Sequence, residues 1–247
     1  TEDDIKKVLS QSIQEATRRN VNATLAVSDR VGNVLAVYRM ADQAVLISST
    51  PAGAAEVTGG LEGIFVDPDV LGIAIDDQAA IAKSVTAAYL SSNGNAFSTR
   101  TASQIVQDHF NPGETGQPAG PLFGVQFSQL ACSDFVLSAN VPMADAGPKR
   151  SPLGLSADPG GLPLYKNGIL VGGLGVIADG RYGLDLVVTN RDSDLDELIA
   201  TAGTVGFDAP ADIRADRITV DGKTLRFSDV SAADLASNPA AALQHPT

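Results

Sequence analysis

The order of apolar and polar positions divides the chain into helical and extended stretches, separated by two long irregular ones. Ile5, Val8, Leu9, Ile13 and Ala16 recur at helical spacing, which predicts an amphipathic helix over 2–19. Thr1 and Asp4 have the spacing of a capping box at its start, and Asn20 closes it. Residues 23–40 alternate as a β-hairpin with Gly32-Asn33 in its turn. A second helix is predicted over 76–92, capped by Asp76 or Asp77, with Ile81, Val85, Ala88 and Tyr89 as its apolar stripe. A third runs from Ser98 to about His109, with Ser98 or Thr99 as cap and Asn111-Pro112-Gly113 as stop.

Further on, Asn167-Gly168 sits between the apolar runs 161–166 and 169–177, the strongest short hairpin signal available. Gly172, Gly173 and Gly175 in the second run imply close backbone approach or a bend. A short strand over 184–188, a helix over 194–202 ending at Gly203, and a last hairpin over 217–227 around Asp221-Gly222 complete the pattern. The stretch 41–75, with Thr50-Pro51, Gly59-Gly60 and Asp67-Pro68, reads as a long loop with short pieces of order. The stretch 111–160 is rich in Pro and Gly yet holds Leu122, Phe123, Phe127, Leu130, Phe135 and Leu137. It reads as an ordered insertion, with one short strand near 124–127.

Composition narrows the function classes. Apolar residues make up 44% of the 247, but aromatics only 5% with no Trp, so the core must be built from Val, Leu, Ile and Ala. A net charge of −12 repels phosphate backbones and argues against nucleic acid as a partner. No apolar run reaches the ~18 residues of a membrane span, and no Lys/Arg run offers a membrane patch. Cys132 is the single cysteine, and without a C-x-x-C-H motif covalent c-type haem is excluded. The acidity, the few lysines and a first residue that is Thr rather than Met lead to the expectation of an exported protein, periplasmic or secreted.

Four blocks, in order, resemble the GlcG/HbpS-like family. They are Leu25-Ala26-Val27-Ser28-Asp29-Arg30-Val31-Gly32-Asn33 with Arg39-Met40 after it; Ala79-Ala80-Ile81-Ala82-Lys83-Ser84-Val85-Thr86-Ala87-Ala88; the hairpin from Pro159-Gly160-Gly161-Leu162-Pro163 to Gly175-Val176; and Asp194-Leu195-Asp196-Glu197 with the helix that follows. They cover roughly half of a chain long enough for one large domain or two small ones. The resemblance implies an α+β fold of the profilin-like kind, an antiparallel sheet flanked by helices. It also implies noncovalent haem binding and homo-oligomers or a protein partner. On this reading residues 1–206 form the family domain, interrupted by insertions at about 43–75 and 111–158, and 207–247 are a C-terminal extension with a hairpin and a tail.

A haem site needs an apolar slot and an axial donor. His109 follows Ile105 and Ala102 on the apolar face of its helix, and is either an axial donor or a core histidine bonded to backbone. His245 lies in the Pro-containing tail. Thr99 and Thr101 stand where the resemblance places a threonine facing haem iron, and a helix cap is the competing role for both. Tyr38 and Met40 end a strand and read as packing residues. Asp192, Asp194, Asp196 and Glu197 look like a calcium-loop fragment but lack its central Gly and twelfth-position Glu, so an acidic first helical turn explains them better. The glycines at 172–175 are not a dinucleotide fingerprint, Cys132 has no basic neighbour, and Ser128 and Ser133 have no nucleophile-elbow context. The expectation is therefore a noncatalytic haem or tetrapyrrole binder. The alternatives are a structural subunit of an assembly, and an enzyme or binder for a small organic acid.

Overall fold

The computed structural model describes residues 1–48, 74–107, 116, 118–122, 127–128, 153–185, 187 and 190–244. Helix α1 (Glu2–Arg18) opens on the capping box: the Asp4 amide donates to Thr1 Oγ1 at 3.3 Å, and Thr1 Oγ1 donates to Asp4 Oδ2 at 2.7 Å. Asn20, at φ +56°, turns the chain out of the helix. Strands β1 (Thr24–Asp29) and β2 (Val34–Arg39) then form the first hairpin. Asp29 organises its turn, accepting from the Val31 and Asn33 amides at 2.9 Å each, while Gly32 supplies φ +82°. The second hairpin joins β4 (Gly161–Lys166) and β5 (Ile169–Ile177) through Asn167 at φ +54° and Gly168 at φ +76°, the double left-handed turn its sequence calls for.

The two hairpins share one antiparallel sheet in the order β2-β1-β5-β4. Residues Leu25, Val27, Leu162, Leu164, Leu174 and Val176 point to the face covered by α1 and by α4 (Leu195–Gly203). The opposite face carries helix α2 (Ile75–Tyr89). Here the glycine run has its reason. A Cβ on Gly173 would stand 2.1 Å from the Ser84 carbonyl oxygen, and one on Gly175 2.1 Å from that of Ala80. Ala80 and Ser84 on the helix, facing glycines on the strand, bring the two backbones into direct contact. The observed class is the α+β arrangement that the family resemblance implies.

The predicted insertions contribute to this core. Strand β3 (Leu46–Ser48) pairs in parallel with β6 (Arg181–Gly183), and Ile47, Leu153, Ile177 and Tyr182 pack on Ala79 and Ala82 of α2. The Ser156 amide donates to Thr86 Oγ1 at 2.7 Å. Helix α3 (Thr99–Ile105) follows α2, and the last hairpin joins β7 (Thr219–Val220) to β8 (Lys223–Thr224). The C-terminal segment straps over α1. Glu15, buried, accepts from the Ala236 and Ser237 amides at 2.9 and 2.8 Å, and Gln11 Nε2 donates to the Pro239 carbonyl at 3.2 Å.

Three local expectations are corrected. Asp76 and Asp77 do not cap α2; Ala74 stands at the cap, and both carboxylates turn to the first hairpin. Thr24 Oγ1 donates to Asp76 at 2.8 Å, and Arg39 Nη2 donates to Asp77 at 2.5 Å. The strand predicted over 184–188 does not form among its described residues: β6 ends ahead of it at Gly183, and Asp185 turns to Arg100. Gly203 is the last residue of α4 and not the residue after it, and what requires glycine there is packing, since a Cβ would meet Ser12 Oγ of α1 at 2.2 Å. The positive φ that ends the segment belongs to Gly206. Of the strand predicted over 124–127, only Phe127 lies within the described residues, in an isolated bridge to Leu155.

Candidate functional site

Two buried cations stand among these elements, and three of the four family-like blocks meet at the first of them. Lys83 of α2 has no exposed side-chain surface. Its Nζ donates to the Val176 carbonyl at 2.8 Å and to Asp196 Oδ2 at 2.5 Å, and pairs with Asp158. Asp196 Oδ1 accepts from the Ala178 and Asp179 amides at 2.7 and 3.1 Å, and Asp158 Oδ1 from the Gly183 amide at 2.9 Å. One ammonium thus ties α2, β5, the 156–160 segment and α4 together. Burial pushes Asp158 up to about 7 and Asp196 well above the usual range, in both cases against the pull of Lys83. Burial opposes the charge on Lys83 too, but Asp158 and Asp196 outweigh it and keep the amine protonated.

Arg100 of α3 plays the same part on the other side of α4. Nε and Nη2 reach the two Glu197 oxygens at 3.1 Å each, and Nη1 reaches Asp185 at 2.6 Å and Asp192 at 3.2 Å. Asp229 lies 3.6 Å away and is also held by Arg226. Burial pushes Glu197 up to about 7 against Arg100. Each carboxylate of the acidic run therefore has a partner. Asp192 and Glu197 face Arg100, Asp196 faces Lys83, and Asp194 caps α4 by accepting from the Glu197 amide at 2.8 Å. Both cation centres are too deep to meet a ligand, and they read as clamps that fix the sheet and helices around an open feature.

That feature is an apolar cleft of about 270 Å³ between the first turns of α1 and the far end of the sheet. Ile5 and Val8 of α1 line it with Val27, Leu164 and Phe207. Two irregularities complete the wall. Val27 pairs with Ala36 but Ser28 with Val34, so Leu35 is skipped; Leu164 pairs with Gly172 but Tyr165 with Leu170, so Val171 is skipped. Both skipped residues line the cleft, and they are 48% and 40% exposed. At the lip, Lys166 donates to both Asp4 oxygens at 2.8 and 2.6 Å. The hydrogen bonds from Lys166 hold Asp4 well below the usual carboxylate range, helped by the terminal amine and Thr1.

The sequence candidates are not gathered at this cleft. Thr99 Oγ1 accepts from the Gly161 amide at 2.8 Å. Thr101 accepts from the Ser98 amide at 3.2 Å and donates to the Arg226 carbonyl at 2.5 Å. Both are fully buried, and Ser98 is the helix cap. His109, His245 and Cys132 lie outside the described residues. Met40 packs at the edge of the α1-side core, and Tyr38 is half-exposed on β2. Sequence reasoning missed the buried roles of Lys83 and Arg100. The signal for Lys83 was a single charge inside the otherwise uncharged run from Ala79 to Ala88.

No family model matches the sequence, and no curated protein does. Several solved structures are similar to the chain. They include a PduOC:haem complex (16% identity over 83% of this chain and 93% of that one, TM-score 0.45), the Klebsiella pneumoniae protein ORFY (19%, 84% and 89%, 0.43) and HbpS (17%, 83% and 87%, 0.40).

Proposed function

We propose that the chain binds haem, or a tetrapyrrole of the same shape, noncovalently and without chemistry of its own. One observation carries the reading. Three of the four blocks that resemble the GlcG/HbpS-like family meet at Lys83, the first packs on the same helix through Ser28 and Ser84, and the two hairpins among them wall the apolar cleft. The walls suit the edge of an apolar macrocycle. At ~30 Å³ per water-sized group, about 270 Å³ takes only a fraction of such a ring, so the rest stays outside, against Leu35 and Val171. Among the described lining residues none is His, Met, Cys or Tyr. Those residues would hold the ring by apolar contact alone, and His109 remains the candidate donor from the sequence. Export to a periplasmic or extracellular space belongs to the same proposal, in keeping with the acidic composition.

Hemin titration tests it. Wild type should give a saturable Soret shift at about one equivalent, and Leu35→Glu, at a half-exposed position, should weaken it at least ~10-fold by placing a carboxylate against the ring. An unchanged titration for the variant refutes the cleft, and a featureless one for wild type refutes the ligand. A spectrum left identical by His109→Ala removes that residue as donor.

A second reading, a subunit of a homo-oligomer, is favoured by strand β2. It ends the sheet, and Val34, Leu35, Val37 and Tyr38 on it are exposed beside Val31 and Tyr89. An edge with so little charge is an invitation to pair with another chain. Light scattering should show an oligomer that Val37→Lys dissociates; a monodisperse wild-type monomer refutes this reading.

A further inference from the structure

A groove of about 310 Å³ lies among β4, α4 and the C-terminal segment, and shares no residue with the apolar cleft. Leu162, Pro163, Ala209 and Phe227 give it an apolar floor, while Arg191, Arg214, Asp208 and Asp216 line it with both signs of charge. Arg214 is already oriented. Its Nε donates to the Ala209 carbonyl at 3.0 Å and its guanidinium lies 5.2 Å from the Phe227 ring centre, which leaves both Nη nitrogens for a ligand. Arg191, exposed, makes no hydrogen bond or contact ion pair among the described residues, and its charge is felt at Asp234. Thr201 also lines the groove, and its Oγ1 is buried without a partner among the described residues.

We propose that this groove binds a small zwitterion of the α-amino-acid class with an apolar side chain. The carboxylate sits between Arg191 and Arg214, the ammonium faces Asp208 and Asp216, and the side chain lies on Leu162, Pro163 and Phe227. Two arginines and two aspartates leave the lining neutral, so a bare anion meets repulsion that offsets its attraction; a ligand with both charges does not. At ~30 Å³ per water-sized group the groove holds about ten non-hydrogen atoms, which is the size of leucine. The inference is independent of the haem reading, since neither site shares a residue with the other.

Calorimetric titration of the full chain tests it with L-leucine, 4-methylpentanoate (which lacks the ammonium), isopentylamine (which lacks the carboxylate) and inorganic phosphate. Leucine should bind one to one, and the other three at least ~10-fold more weakly. Arg191→Gln and Asp216→Asn change exposed side chains and should leave the fold intact. The first should weaken leucine at least ~10-fold, and the second should narrow the gap between leucine and 4-methylpentanoate. No saturable heat with leucine at millimolar concentration overturns the site. Phosphate or 4-methylpentanoate binding as tightly as leucine overturns the zwitterion.

Discussion

Replacing Lys83 with Met keeps most of the side-chain volume and removes the charge. It leaves the Asp158 and Asp196 carboxylates, 9% and 2% exposed, without their cation. Removing one partner of a buried ion pair destabilises by about 3–5 kcal/mol, because the remaining charge is uncompensated. The loss has a pH signature. The variant can escape by protonating a carboxylate, and keeping one protonated costs about 1.4 kcal/mol per pH unit above its ordinary value of 3.8. The sign follows from proton uptake. A carboxylate whose folded value is raised binds more protons in the native state than in the unfolded one, so its contribution is present below about pH 4 and is lost as pH rises. Wild-type Asp158 shows the same trend up to about pH 7, but the variant, lacking Lys83, must show it more steeply. Urea denaturation of both proteins from pH 5 to 7.5 compares them with all other titrating groups cancelled. The deficit of Lys83→Met should be about 3–5 kcal/mol at pH 7.5 and smaller at pH 5. A deficit below ~1 kcal/mol, or one that does not change with pH, would refute the clamp.

Two further variants probe the framework. Gly175→Ala places a methyl against the Ala80 carbonyl and should lose about 1–3 kcal/mol or more in thermal unfolding, since backbone and not a flexible side chain stands in the way. Thr99→Val strands the buried Gly161 amide and should lose about 1–3 kcal/mol; if Thr99 only holds the hairpin, the hemin spectrum of the folded variant stays that of wild type.

What could be read in the sequence was what short-range chemistry decides. Thr1 with Asp4, Asn167-Gly168 and Asp221-Gly222 specify a cap and two turns through their own backbones, and each forms where its residues stand. Gly173 and Gly175 announced a close approach without naming the partner, which is α2. The acidic residues misled for the opposite reason. Asp76 and Asp77 are equally good as helix caps and as partners for Thr24 and Arg39, and the choice depends on a strand some 40–50 residues away. The run from Asp192 to Glu197 does form the cap and acidic first turn of α4, but its pairing with Lys83 and Arg100, far away in sequence, could not be read locally. The cleft was least legible, because Leu35 and Val171 reach it through register skips that alternation alone does not reveal.

The central claim is that the apolar cleft receives a tetrapyrrole, and its paramagnetism gives the most direct measurement. Hemin broadens nearby methyl resonances, so the methyl spectrum of the full chain can be followed as hemin is added. At one equivalent the signals of Val27, Leu35, Leu164 and Val171 should broaden, while those of Ile105 and Leu225, in a separate core cluster, persist. Broadening centred on that other cluster, or none at all, would contradict the account.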